Sequence, residues 1–376
     1  AEGDTLKLGR LMELVFAPTD RQEPSHAPMT DKECDSRIAA GRAAFASPGQ
    51  GRSGIAILRR AGVAYHRTGD PKQLETYAEL MHALVEYYAT DEYINSEGLA
   101  RYDRDFRDAW TFEIGVLWDL IEESGAFSDA ERLTFTNYCM RIALECVRYQ
   151  RYYRESTIEH WRTNEDIVHN HNTFPALGVY FVGNYLKRHY AVDYVDDWLI
   201  CAHGIFRGQR HASKPQEDAA SYQWLPIIHT MTYSLVEGDT TFFDEGHARE
   251  TARVAMMVMD NAGWEAAFGD NSGYKGGSVI AGTLPRIAWY YGDPEILWAA
   301  RHAGAPDYAP FSQPYYCDFE PLPPTDQIGV RVAALPRSSY DYAAHNSSYP
   351  TAASLPFEEC FDKLTLRAGL ELEDEY

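Results

Sequence analysis

The chain has 376 residues, 45% of them hydrophobic, and a formal net charge of −22, so it can bury a substantial core in one large domain or two ordinary ones. That charge argues against nucleic acid and anionic membrane surfaces as partners, because both are bound through clustered Lys and Arg. No apolar run reaches the eighteen residues of a membrane span, and the opening AEGDTLKLGR lacks the apolar core of a signal peptide.

A mature chain after signal cleavage would read the same, so a periplasmic or secreted location is expected, with the cytoplasm left open. Cys34, Cys139, Cys146, Cys201, Cys317 and Cys360 show no CxxC spacing, which disfavours a zinc knuckle or redox pair. Buried thiols and, in an exported protein, one or two disulfides both remain open. The 26 Tyr, 8 Trp and 16 Phe read mainly as an aromatic core. Some Tyr and Trp are expected instead to line a groove for sugar rings, and Trp161 is taken as one of these.

Residues 1–50 read as a mixed lead-in: LKLGRLMELVF suits a short helix and PTDRQEPSHAPMTDKE a loop. From there the pattern is regular. Apolar spacing predicts helices over Ser53–Arg67 and Gln73–Ala89, separated by Thr68-Gly69-Asp70-Pro71. Further helices are predicted over Ala109–Glu123 and Ala130–Arg154, the second with Ser128 as N-cap. Similar punctuation returns at Gly183-Asn184, Gly238-Asp239 and Gly292-Asp293-Pro294.

This loose repeat of helical hairpins predicts a mainly α fold over 51–305, closed as an (α/α) toroid or left open as a solenoid. Roughly seven helix pairs suit the closed form. Residues 306–327 are Pro-rich and read as a linker. Over 328–376, IGVRVAAL and KLTLR alternate as strands do, predicting a small β-appendage or the beginning of a β-domain left incomplete.

Two polar clusters stand at helix entrances. The first is EDIVHNHNTFPAL, Glu165–Leu177, with His169, Asn170, His171 and Asn172 in a row; the second is EDAASY, with Glu217, Asp218 and Tyr222. His169 and His171 could suggest a metal, but no HExxH motif or Cys/His pair supplies further ligands. His169 and Asn172 are equally read as caps on free helix N–H groups, whereas Asn170 and His171 read as functional. Glu165 and Asp166 read as solvated or capping acids.

A phenol, with a reference pKa of about 10, serves as a base only beside positive charge or donors to the phenolate. His171 and Arg210 are the expected suppliers for Tyr222, with His211 and Glu217 also facing substrate. The stretch FGDNSGYKGG, residues 268–277, is a glycine-rich turn and matches no phosphate-loop pattern. Its Asp270 and Tyr274 are expected to reach the same substrate.

With Asn170 and His171 in NHNTFPALG, Tyr222 in EDAASY some fifty residues on, the FGD turn, and the segments IGVRVAAL and FDKLTLRAG, the chain resembles the heparinase II/III-like polysaccharide lyases, a group with relatives acting on alginate. The resemblance extends over most of the chain and is carried by the order and spacing of short motifs. It implies an (α/α) toroid followed by a β-sandwich, and β-elimination in a chain that contains uronic acid. It also implies that Asn170 and His171 meet the substrate carboxylate and that Tyr222 transfers protons.

No cofactor is expected in this chain. The family commonly places a catalytic His, and in some members a zinc, further into the β-domain than these 376 residues reach. The expected partner is an anionic polysaccharide or oligosaccharide. Two other readings are weighed: a toroid glycoside hydrolase with paired carboxylates from Glu217, Asp218 and Asp270, and a non-catalytic glycan-binding protein.

Overall fold

The computed structural model describes residues 28–47, 51–88, 111–154, 157–163, 165, 167, 170–213, 215, 219–265, 275–276, 278–304, 317, 319–324, 331–336 and 361–367. Helices dominate them. In chain order these are α1 (Asp31–Phe45), α2 (Gly51–Thr68), α3 (Pro71–Tyr88), α4 (Thr111–Ile121), α5 (Asp129–Arg154), α6 (Ile158–Thr163), α7 (Asn170–Tyr190) and α8 (Val195–Gln209). After a 3₁₀ turn at Ser221–Gln223 follow α9 (Trp224–Glu237), α10 (Thr241–Asp244) and α11 (His247–Val258). Strands β1 (Trp264–Glu265) and β2 (Lys275–Gly276) precede α12 (Ser278–Tyr291), α13 (Pro294–His302), β3 (Arg331–Pro336) and β4 (Phe361–Arg367). Among the described residues no helix is long and apolar enough to cross a membrane.

Local signals account for many boundaries. Ser128 opens α5 in a capping box: the Glu131 N–H donates to the Ser128 hydroxyl at 3.3 Å, and the Ser128 N–H donates back to the Glu131 carboxylate at 2.8 Å. Thr30 and Glu33 do the same for α1. Asp31, Lys32 and Glu33, expected to be loop, therefore open a helix, because the capping pair satisfies N–H groups that a helix start leaves over. Gly69, Gly238 and Gly292 sit at φ of +68°, +78° and +62° in the expected turns. Asp293 caps α13 ahead of Pro294.

Gly183-Asn184 is a correction. Both lie inside α7, where a Cβ on Gly183 would meet the Leu199 side chain at 2.9 Å. This glycine serves close packing and ends nothing.

The chain divides into two compact units. One comprises Pro18–Thr163 and Phe174–Gly204; the other comprises Ala1–Ala17, Asn164–Thr173 and Ile205–Tyr376. In the first, α1, α2 and α3 pack on one another, and α4 packs on α2 and α5. Trp118 anchors this core, fully buried, with edge-on contacts to Phe127 and Phe135 at 5.3 and 5.2 Å and its N–H on the Thr136 hydroxyl at 3.0 Å. Burying one such ring contributes about 3 kcal/mol. The Glu122 carboxylate, also buried, accepts from the Tyr185 and Tyr190 hydroxyls and from Arg132, so its charge is compensated.

In the second unit α9, α11, α12 and α13 share a core that includes Trp224, Met231, Phe242, Ala252, Leu284 and Ile296. Helix α12 packs on α9, α11 and α13. Strands β1 and β2 form a short antiparallel ladder. Strands β3 and β4 form another, Val332 opposite Leu366, with a bulge between Leu335 and Pro336. The expected short helix in LKLGRLMELVF lies outside the described residues. The five described cysteines are free thiols, four of them buried; Cys360 lies outside the described residues.

Candidate functional site

Helix α7 opens with Asn170, His171, Asn172 and Thr173, and this first turn groups with the second unit. Asn170, Asn172 and Thr173 are buried and His171 is half-buried. Two residues on, Pro175 has no N–H to give to the carbonyl four residues back, so α7 forgoes one backbone hydrogen bond near its start. The Thr173 hydroxyl donates to the Asn170 carbonyl at 3.3 Å and lies 2.8 Å from Nδ1 of His229 in α9.

His229 is buried in α9, after Ile227 and Ile228 and ahead of Thr230 and Met231. Burial, reinforced by the nearby Arg286 charge, pulls its pKa down to about 3 and keeps the ring neutral. Arg286, itself buried in α12, donates to the Ile228 carbonyl at 3.0 Å and to the Thr232 hydroxyl. A polar seam thus runs from the first turn of α7 through α9 to α12.

Tyr222 sits in the 3₁₀ turn that leads into α9, with its side chain 38% exposed. Two residues later Trp224 is buried, and its indole N–H donates to the buried Glu265 carboxylate at 2.6 Å. Glu265 belongs to β1, which pairs with β2. The Tyr222 turn is therefore fastened to the two strands that flank, in sequence, the stretch with Asp270 and Tyr274. These two residues, with Glu217, Asp218, Asp166 and His169, lie outside the described residues. Trp264, next to Glu265, is 47% exposed. Glu165 is exposed.

Of the expected substrate contacts, Trp161 is a correction, while Arg210 and His211 keep part of their surface and have protein partners. Trp161 is fully buried in the first unit, with its carbonyl so close to Gly204 that a Cβ there would meet it at 2.4 Å; a side chain with no exposed surface is packing. Arg210 pairs with Asp239. Burial would raise the Asp239 carboxyl, but hydrogen bonds from Thr241 and Arg210 outweigh it and hold the pKa below the usual range.

His211 joins a cluster: its Nδ1 lies 2.8 Å from Glu245 Oε2, and His247 Nε2 lies 3.3 Å from the same oxygen. Hydrogen bonding from His211 keeps the Glu245 carboxyl below its usual value. His229, Glu245, His247, Glu265 and Arg286 were not singled out from sequence. For Arg286 the signal was there: a lone charged residue inside a largely apolar helix has to find a polar partner.

No family model matches the chain, and no curated protein matches it.

Proposed function

We propose that this chain is the helical part of a polysaccharide lyase that cleaves a uronic-acid-containing chain by β-elimination, with Asn170, His171 and Tyr222 as its working residues. The observation that carries this reading is the hydrogen bond between Thr173 and His229. It ties the turn that bears Asn170 and His171 to the helix that Tyr222 leads into. Along the chain from that bond, Asn170 is one helical turn away and Tyr222 about two, or ~5 and ~10 Å of axial rise at 1.5 Å per residue. An (α/α) toroid followed by a β-sandwich belongs to the same proposal, supported by the succession of helical hairpins and by the β3–β4 ladder.

The chemistry follows from the residue types. The C5 proton of a uronate is weakly acidic until its carboxylate is neutralised, because the electron pair left behind spreads into that group. The Asn170 amide and a His171 ring N–H would donate to that carboxylate and stabilise the developing dianion where it forms. Tyr222, the most exposed of the three, would act as its phenolate: it takes the C5 proton, becomes the phenol, and passes that proton to the departing O4 oxygen as the C4–O bond breaks. The products are a new non-reducing end with a C4–C5 double bond conjugated to the carboxylate, and a departing sugar whose anomeric carbon carries the new reducing-end hydroxyl.

The test is ultraviolet absorbance of the full-length protein with alginate, heparin-type, chondroitin-type and glucuronan substrates. Absorbance should rise on one of them, and Tyr222→Phe should lower kcat about 10²- to 10⁴-fold. Saturated reducing ends without absorbance would reassign the protein to hydrolysis. Binding without any turnover would make it a glycan-binding protein.

A further inference from the structure

We propose that His211, Glu245 and His247 bind a divalent transition-metal ion of the zinc class, which clips the turn after α8 to the start of α11. This inference does not rest on the lyase reading, and the ion it places is structural.

The donor set carries the argument. Nδ1 of His211, a Glu245 oxygen and a ring nitrogen of His247 all lie within 4.8 Å of one another. Two of the separations are 2.8 and 3.3 Å, both to the same carboxylate oxygen. Ligands about 2.0–2.1 Å from a tetrahedral ion stand about 3.4 Å apart. The widest pair therefore has to close by no more than about 1.4 Å. The side chains of His211, Glu245 and His247 are 32%, 50% and 15% exposed, which gives them room to close and leaves water a fourth position. Two imidazoles and one carboxylate suit zinc, cobalt or nickel; magnesium and calcium prefer all-oxygen sets.

The backbone and its neighbours hold this arrangement. Gly246, between Glu245 and His247, has φ +85°, a conformation a side chain would strain; it lets donors two residues apart turn toward one point. The Phe242 ring stacks near His247 at 6.3 Å between centroids. One feature opposes the ion. Arg210 Nε donates to Nε2 of His211 at 3.1 Å, which sets the ring proton on Nδ1, facing Glu245. A metal on Nδ1 needs that proton on Nε2, so the Arg210 Nε–H has to turn away while its other end stays on Asp239.

The experiment is calorimetric titration of Zn²⁺ into the EDTA-treated, dialysed full chain, with Co²⁺ absorption as a second readout. The wild type should take up about one equivalent with micromolar or tighter affinity, and Co²⁺ should give the visible band of a tetrahedral site. His247→Ala should weaken binding at least about 100-fold, more than loss of an outer-shell partner usually does. Arg210→Ala, which frees Nε2 and removes a positive charge, should tighten it. Should His247→Ala fail to fold by circular dichroism, Glu245→Gln on a half-exposed side chain carries the same test. Absence of saturable binding by the wild type overturns the proposal, and so does equal binding by Glu245→Gln and wild type, which would assign the ion to others of the 13 histidines.

Discussion

The Thr173 hydroxyl lies 2.8 Å from Nδ1 of His229, both side chains buried, and joins the first turn of α7 to the middle of α9 across 56 residues of sequence. The same hydroxyl reaches the Asn170 carbonyl at 3.3 Å, so this one group links His229 to the turn that holds Asn170.

Thr173→Val keeps the shape and removes the hydroxyl, leaving the buried Nδ1 of His229 without this partner. Chemical denaturation should show a loss of about 1–3 kcal/mol, with Thr173→Ser close to wild type. A loss below about 0.5 kcal/mol would mean that the bond holds nothing in place.

His229 makes the fold sensitive to acid. Its folded pKa of about 3 lies below the ordinary histidine value of 6.5, so between those limits the unfolded chain binds the extra proton. The contribution is complete above pH 6.5 and falls as pH drops toward 3, at up to about 1.4 kcal/mol per pH unit. Unfolding free energies measured from pH 7 to pH 4 should converge between wild type and His229→Leu as the pH falls. Parallel curves would contradict a neutral buried ring.

Glu113 has the opposite sign. Arg59 lies 3.1 Å away, yet burial outweighs that attraction and raises the Glu113 pKa to about 7 from its ordinary 4.5. Between those values the folded chain holds the extra proton, so this group favours folding at low pH and that advantage disappears as pH rises through 7. Glu113→Gln should gain on wild type as pH rises from 4.5 to 8, read as the difference in denaturation midpoint. A difference independent of pH would show that the ion pair wins over burial.

The Trp224–Glu265 bond should control the β1–β2 ladder more than the core. Trp224→Phe keeps most of the buried ring but withdraws a donor from a buried carboxylate, at a cost of about 1.5–3 kcal/mol. Hydrogen exchange should speed up at residues 264–265 and 275–276 while α12 and α13 stay protected. Uniform loss of protection would assign Trp224 to packing alone.

Much of the helical framework was legible because its signals are local. Ser128 meets Glu131 three residues on, Asp293 caps the helix that starts at Pro294, and Gly238 takes a left-handed φ that few other residues tolerate. Each of these outcomes depends on atoms within a few bonds of the residue. Gly183 shows the limit: the same residue type that ends helices elsewhere sits in mid-helix because a neighbouring helix needs the space.

The site divides the same way. Sequence alone determined that polar clusters stand at the starts of α7 and α9, since helix starts and hydrophobic periodicity are short-range properties. Only the tertiary structure decided that Trp161 is core, that Arg210 belongs to Asp239, and that His211 meets Glu245, 34 residues away, while Trp224 meets Glu265, 41 away. Burial and charge pairing depend on which distant segments share a surface, and the energy of a buried charge or amide is set by those neighbours, whatever its place in the chain.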